Sequence, residues 1–187
     1  MNFKQLHKGI YFHNIKHNTK NCAKESEMNF SISKSTTEEL PGTQVWFELS
    51  DGELFSIKDN IEKSIIKQFN NVTSPYTTIS WIYTQNKEND TAVYHNHSDV
   101  NYFFKQDTVN AVWTWVFYVQ LPSDTKSELK FSFNDKSKWS TDVHEGDVLV
   151  FNPSYDHKPD LPKLSDRPRI VLAGTIYNIG GIQNKLM

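Results

Sequence analysis

Cysteine is nearly absent from this 187-residue chain: Cys22 stands alone. One thiol closes no intrachain disulfide and builds no cysteine-based zinc site by itself. The simplest expectation is a reducing, intracellular (cytoplasmic) compartment. An excess of one charge is also missing. Twenty Lys+Arg against 22 Asp+Glu leave a formal net charge of −2, and the sequence pI is near 6.4. That balance argues against a nucleic-acid-binding surface. Apolar runs are short and interrupted, and none approaches the roughly 18 residues that cross a bilayer, so no membrane role is expected. Met1 to Lys20 lacks the apolar block of a secretory signal. What the chain does have is aromatic content, 13% of residues within 37% hydrophobics. That is enough for a buried core and excludes wholesale disorder.

The length suits one domain with an N-terminal extension. We divide it into residues 1–42, a strand (Ile10 to Ile15) and a long polar loop (Asn18 to Pro41), and residues 43–187, the body. Val45, Phe47 and Leu49 alternate in a strand over Gln44 to Leu49. Ile57, Ile61, Ile65 and Phe69 recur every four residues, which predicts the one clear helix. After Asn70-Asn71 the pattern becomes short strands: Thr77 to Thr84, Ala92 to His97, Val112 to Leu121, Glu128 to Phe133, Asp147 to Phe151 and Arg169 to Tyr177. Polar turns separate them, the longest being Asn152 to Pro168. Strands without interposed helices predict an antiparallel sandwich, barrel or jelly roll with a helix on the outside.

Seven histidines are available. His97 and Asp99 are two residues apart, so in an extended segment they point to the same side. With His157 they would make the two-histidine, one-carboxylate set that leaves metal positions open for a chelating cosubstrate and dioxygen. Arg169, twelve residues after His157 in a chain whose cations are mostly Lys, has the forked guanidinium that binds a carboxylate through two parallel bonds. Each residue also has a bland reading. His97 and Asp99 would share a loop hydrogen bond, His157 would be solvated, and Arg169 would make a surface ion pair worth little. His7, His13 and His17 read as solvated, and His144 as a turn residue.

The ordered set His97-x-Asp99, His157, Arg169 resembles the 2-oxoglutarate- and iron(II)-dependent oxygenases. The segment Gly146 to Pro153 resembles the strand and turn that lead to that family's distal histidine, and the tract Trp115 to Pro122 and the segment Glu128 to Phe131 resemble its central strands. The likeness runs from about Thr77 to Asn178. It implies a mainly β, double-stranded β-helix (jelly roll, cupin-like) with one or a few flanking helices. It implies Fe(II) on His97, Asp99 and His157, and 2-oxoglutarate on Arg169. The reaction implied is hydroxylation by dioxygen of a protein or peptide side chain or a small metabolite, with succinate and carbon dioxide as co-products. Some members carry the doublet as His-x-His, so His95 is an alternative to His97 or Asp99. Many have a serine two residues after the arginine, where this chain has Val171; Tyr83 is our candidate for the second anchor. Tyr94, Tyr102 and Trp115 are candidate substrate contacts, although Trp113 and Trp115 also read as core. The insertion Val100 to Ala111 has the place of a substrate lid. Two other classes stay open: a cupin-type metal enzyme using His95, His97 and His157, and a non-catalytic β-sandwich binding module.

Overall fold

The computed structural model describes residues 1–32, 43–46, 51–85, 93–99, 109–123, 127–159 and 167–180. In chain order these form β1 (Lys4–His7), β2 (Ile10–Asn14), α1 (Thr19–Ile32), β3 (Thr43–Trp46), α2 (Glu53–Gln68), β4 (Tyr76–Gln85), β5 (Val109–Gln120), β6 (Ser127–Ser132), β7 (Lys138–Val143), β8 (Asp147–Phe151), β9 (Asp156–Pro159) and β10 (Arg169–Ile179). Seven strands make one sheet, in the order β1-β2-β8-β5-β10-β4-β3. Three make a second, β7-β6-β9, and the pairings are antiparallel. From β5 onward the chain passes back and forth between the two sheets. That crossing is what distinguishes a jelly roll from a meander, and it meets the expectation of a mainly β, double-stranded β-helix.

Alternation along the long strands sorts side chains into two cores. On one face of the large sheet Ile82, Trp113, Trp115, Phe117, Val148, Val150, Ile170 and Leu172 meet Leu54, Ile57, Ile61 and Ile65 of α2. The four-residue period of those helix residues is therefore the stripe that lies on the sheet. On the other face Trp81, Tyr83, Val116, Tyr118, Leu149, Phe151, Val171 and Ala173 meet Leu129, Phe131 and Val143 of the small sheet. Gly174 lets the large sheet carry Trp115, because a Cβ there would stand 2.7 Å from the indole ring. Glu62, buried on α2, accepts hydrogen bonds from Ser80 Oγ at 2.9 Å, Thr78 Oγ1 at 3.2 Å and Lys58 Nζ at 2.9 Å. It ties the helix to β4, the strand whose opposite face bears Trp81 and Tyr83. Among the described residues no helix is long and apolar enough to cross a membrane.

Several elements differ from the sequence reading. Of the strand expected over Ala92 to His97, residues 93–97 form only a single bridge at His95, and β1 was not expected. The segment expected as a polar loop holds α1. Asn18 caps it, its side-chain oxygen accepting the N–H of Asn21 at 3.2 Å. Among the residues of α1 whose side chains are described, the buried ones are the small Cys22 and Ser26, one turn apart, which leave a faint period in the sequence. The Glu25 carboxylate of α1 then caps α2, accepting the N–H groups of Glu53 and Leu54 at 2.9 and 2.8 Å. The long polar turn after Asn152 contains β9, and β7 lies where no strand was expected. The N-terminal strand joins the large sheet: β2 pairs with β8 from Ile10↔Phe151 to Asn14↔Asp147.

Candidate metal centre

A two-stranded contact builds the centre. His95 and His157 face each other as an antiparallel backbone pair, His157 N donating to His95 O at 2.8 Å and His95 N to His157 O at 3.1 Å. Directly opposed residues project to the same face, so both imidazoles point between the sheets. His157 is 3% exposed and rests edge-on to Phe151, with Phe131 beyond. Asn96 and Asp156, next along each strand, join through Asn96 Nδ2 to Asp156 Oδ1 at 2.8 Å. His97 follows on the inner side, its N–H held by Pro153 O at 2.9 Å and its ring 5.3 Å from that of Trp81. The three ring centroids lie 4.4 to 5.2 Å apart. One nitrogen of each falls within 4.8 Å of the others. A metal about 2.1 Å from each nitrogen holds them about 3 Å apart, so the three rings would draw together to close on an ion.

Hydrogen bonds orient two of the rings. Nδ1 of His157 lies 3.1 Å from Tyr155 O, and Nδ1 of His95 lies 3.3 Å from Val93 O. A carbonyl only accepts, so each Nδ1 carries the proton and each Nε2 keeps its lone pair. Burial drives all three rings toward the neutral form. It lowers the pKa of His97 to about 3 and that of His157 well below the usual value, with the neighbouring imidazoles pushing the same way, and it lowers His95 too. Neutral imidazoles are the form that binds metal. The metal-free protein should therefore lose stability as pH falls below about 6.5, because the unfolded chain takes up protons that the folded chain refuses, at up to about 1.4 kcal/mol per pH unit for each histidine. Thermal unfolding of metal-free protein between pH 8 and pH 5.5 checks this. A flat midpoint would show that the three rings are not held neutral.

Arg169 opens β10 on the same inner core. It lies across from Gln85 of β4, and the next inward residue, Val171, lies between Tyr83 and Tyr118. Its side chain is 3% exposed. The guanidinium carbon sits 5.7 Å from the centre of the Tyr118 ring. Among the described residues no carboxylate pairs with it. Burial lowers its pKa, countered by the phenols of Tyr118 and Tyr83. Burial also pushes Tyr118 up to about 12 and raises Tyr83, with the nearby guanidinium pulling each back. The Tyr118 hydroxyl lies beside the guanidinium, which acts on it both as a charge and as a hydrogen-bond donor, although the contact falls short of ideal hydrogen-bond geometry. A cation buried among phenols still has unused hydrogen-bonding capacity for an anion. Arg167, by contrast, is spent on Glu145 at 2.6 Å.

The structure thus brings together His97 and His157, adds His95, and places Tyr83 by Arg169. Asp99 is exposed and outside the group of converging ligand atoms. Tyr94, next to His95 and so on the outer side, lies under Lys158 Nζ at 5.0 Å. Trp115 is corrected from candidate substrate contact to core: it is fully buried on the helix side of the large sheet, away from the histidines. Tyr102 and most of the insertion Val100 to Ala111 lie outside the described residues. Sequence reasoning missed Tyr118; its place one strand from Arg169 is a matter of register, which the local sequence does not carry.

No family model and no curated protein matches the sequence. Solved structures do. A viral collagen prolyl hydroxylase from Paramecium Bursaria Chlorella virus-1, in a 2-oxoglutarate complex, aligns with TM-score 0.63 at 13% identity over 94% of this chain and 100% of that one. A Pseudomonas putida prolyl-4-hydroxylase gives 0.60 at 15% over 92% and 94%. HygX from Streptomyces hygroscopicus, with nickel and 2-oxoglutarate bound, gives 0.60 at 12% over 91% and 82%. With its crossing antiparallel sheets, the chain has the double-stranded β-helix fold shared by these two prolyl hydroxylases and HygX.

Proposed function

We propose that the protein is an iron(II)- and 2-oxoglutarate-dependent oxygenase that hydroxylates a peptide side chain or a small metabolite. The observation that carries this reading is the placement of Arg169. It is a buried cation with no carboxylate partner among the described residues, on the strand that follows the distal histidine and on the same core as the imidazole cluster. A structural arginine buried that deeply would be expected to bring its own anion. Arg169 instead has two phenols, which suits a carboxylate that arrives with a cosubstrate. The neighbours that hold 2-oxoglutarate on this fold point the same way.

In this reading His97 and His157 hold the iron, with a third ligand from His95 or Asp99. Arg169 takes the far carboxylate of 2-oxoglutarate, and the hydroxyls of Tyr118 and Tyr83 complete its hydrogen bonds. The bound iron and 2-oxoglutarate supply oxidation of a C–H bond by dioxygen, with succinate and carbon dioxide as co-products. The chain's own residues set the open coordination face, exclude bulk water through Trp81, Phe131 and Phe151, and fix the cosubstrate's direction. Tyr94 and Tyr102 remain our candidates for substrate contact.

An anaerobic iron(II) titration with and without 2-oxoglutarate tests the reading. A weak visible charge-transfer band that needs both components is the expected result. Metal binding without that band would favour a cupin-type enzyme on the same histidines. No metal binding at all would leave a binding module.

A further inference from the structure

The third ligand can be assigned from the local backbone, and the assignment rests on the metal-site reading above. Alternation alone would place His95, His97 and Asp99 on one side of an extended strand. The chain does not stay extended. The Asn96 side-chain oxygen accepts from both Ser98 N, at 3.2 Å, and Ser98 Oγ, at 2.7 Å. This is a local side-chain turn, and the backbone bends at His97. The bend falls between His97 and Asp99. It keeps His95 and His97 facing His157 and carries the carboxylate to the exposed side. Asn96 cannot swing away, because its amide nitrogen is fixed to Asp156 at 2.8 Å. His95 is in turn fixed by its two backbone bonds to His157 and by the Nδ1 contact to Val93 O.

We infer that the metal is held by three neutral imidazoles, His95, His97 and His157, and that Asp99 is not a ligand. Such a centre keeps the full double charge of the metal, where a carboxylate would cancel half of it. Its affinity for an anionic co-ligand rises accordingly, and a three-imidazole set is more tolerant of nickel, cobalt or zinc than a carboxylate-bearing one.

Cobalt(II) binding to the full chain, without cosubstrate, tests the inference. His95→Ala should weaken cobalt by more than about 100-fold, while Asp99→Ala should stay within about threefold. Loss of cobalt in Asp99→Ala with retention in His95→Ala would overturn it. A readout on the unsubstituted protein guards against a variant that fails to fold. Cobalt(II) shifts the exchangeable imidazole N–H protons of its ligands in the proton NMR spectrum; three such signals are expected, and two would overturn the assignment. Failure here and failure of the oxygenase reading separate cleanly. Three imidazole signals with no 2-oxoglutarate band in the iron titration would leave the ligand set standing and remove the oxygenase. Two signals with the band would do the reverse.

Discussion

Removing the His157 side chain should abolish metal binding. His157 is the ligand shared by every candidate set, and it is the most deeply buried of the three imidazoles. In His157→Ala two candidate ligands remain, both on the 93–99 segment, and metal affinity should fall by well over about 100-fold, more than the loss from an outer-shell change. The fold should survive, because β9 keeps its backbone pairing to β6 from Leu129↔Pro159 to Ser132↔Asp156. The cavity beside Phe131 and Phe151 should cost about 2–4 kcal/mol at neutral pH. That cost should shrink in acid, since the variant no longer has this buried ring to keep unprotonated. Calorimetric titration with iron(II) or cobalt(II), paired with unfolding at pH 8 and pH 5.5, measures both. Near-native metal affinity in His157→Ala would remove the centre from where we place it.

Arg169→Ala should separate cosubstrate binding from stability. The guanidinium is the one buried cation facing the inner core among the described residues, and its loss takes two charge-assisted hydrogen bonds from the incoming carboxylate. The expected loss of 2-oxoglutarate affinity is about 2–5 kcal/mol, or roughly 30- to 1,000-fold. Metal affinity without cosubstrate should hardly move, because Arg169 is not part of the imidazole cluster. Stability of the cosubstrate-free protein should hold or rise. A cation buried without an anion is a burden to the empty fold, and sites built for function commonly trade stability in this way. Tyr118→Phe should give a smaller version of the same loss. The decisive result is the split: 2-oxoglutarate no longer protects Arg169→Ala against thermal unfolding, while metal still does. If 2-oxoglutarate protects variant and parent equally, Arg169 is a structural residue and the anchor lies elsewhere.

The helix α2 was legible because its apolar residues repeat with the helical period and meet a flat sheet. The long strands were legible because alternation and β-branched or aromatic content persist over ten or more residues. The order His97, His157, Arg169 was legible in the sequence as a candidate set, and the fold puts all three on the inner core. The remaining features were not. Among its described side chains α1 buries the small Cys22 and Ser26, so its period is faint in the sequence. β9 has four residues, two of them lysine and proline, too short and polar to read as a strand. Its importance comes from what it pairs with.

The sequence by itself therefore determined the class of fold and the kinds of side chain at the centre. It did so because periodicity records which face of an element is buried, and residue type limits the chemistry available. Which residues converge was decided only in three dimensions. The Asn96–Ser98 turn separates Asp99 from His97. Strand register puts Tyr118 beside Arg169, and the parity of β5 sends Trp115 to the helix side. Each of these depends on one hydrogen bond or one step of register. A single residue's shift moves a side chain to the opposite face of a sheet, and nothing in the local sequence marks which partner strand it will meet.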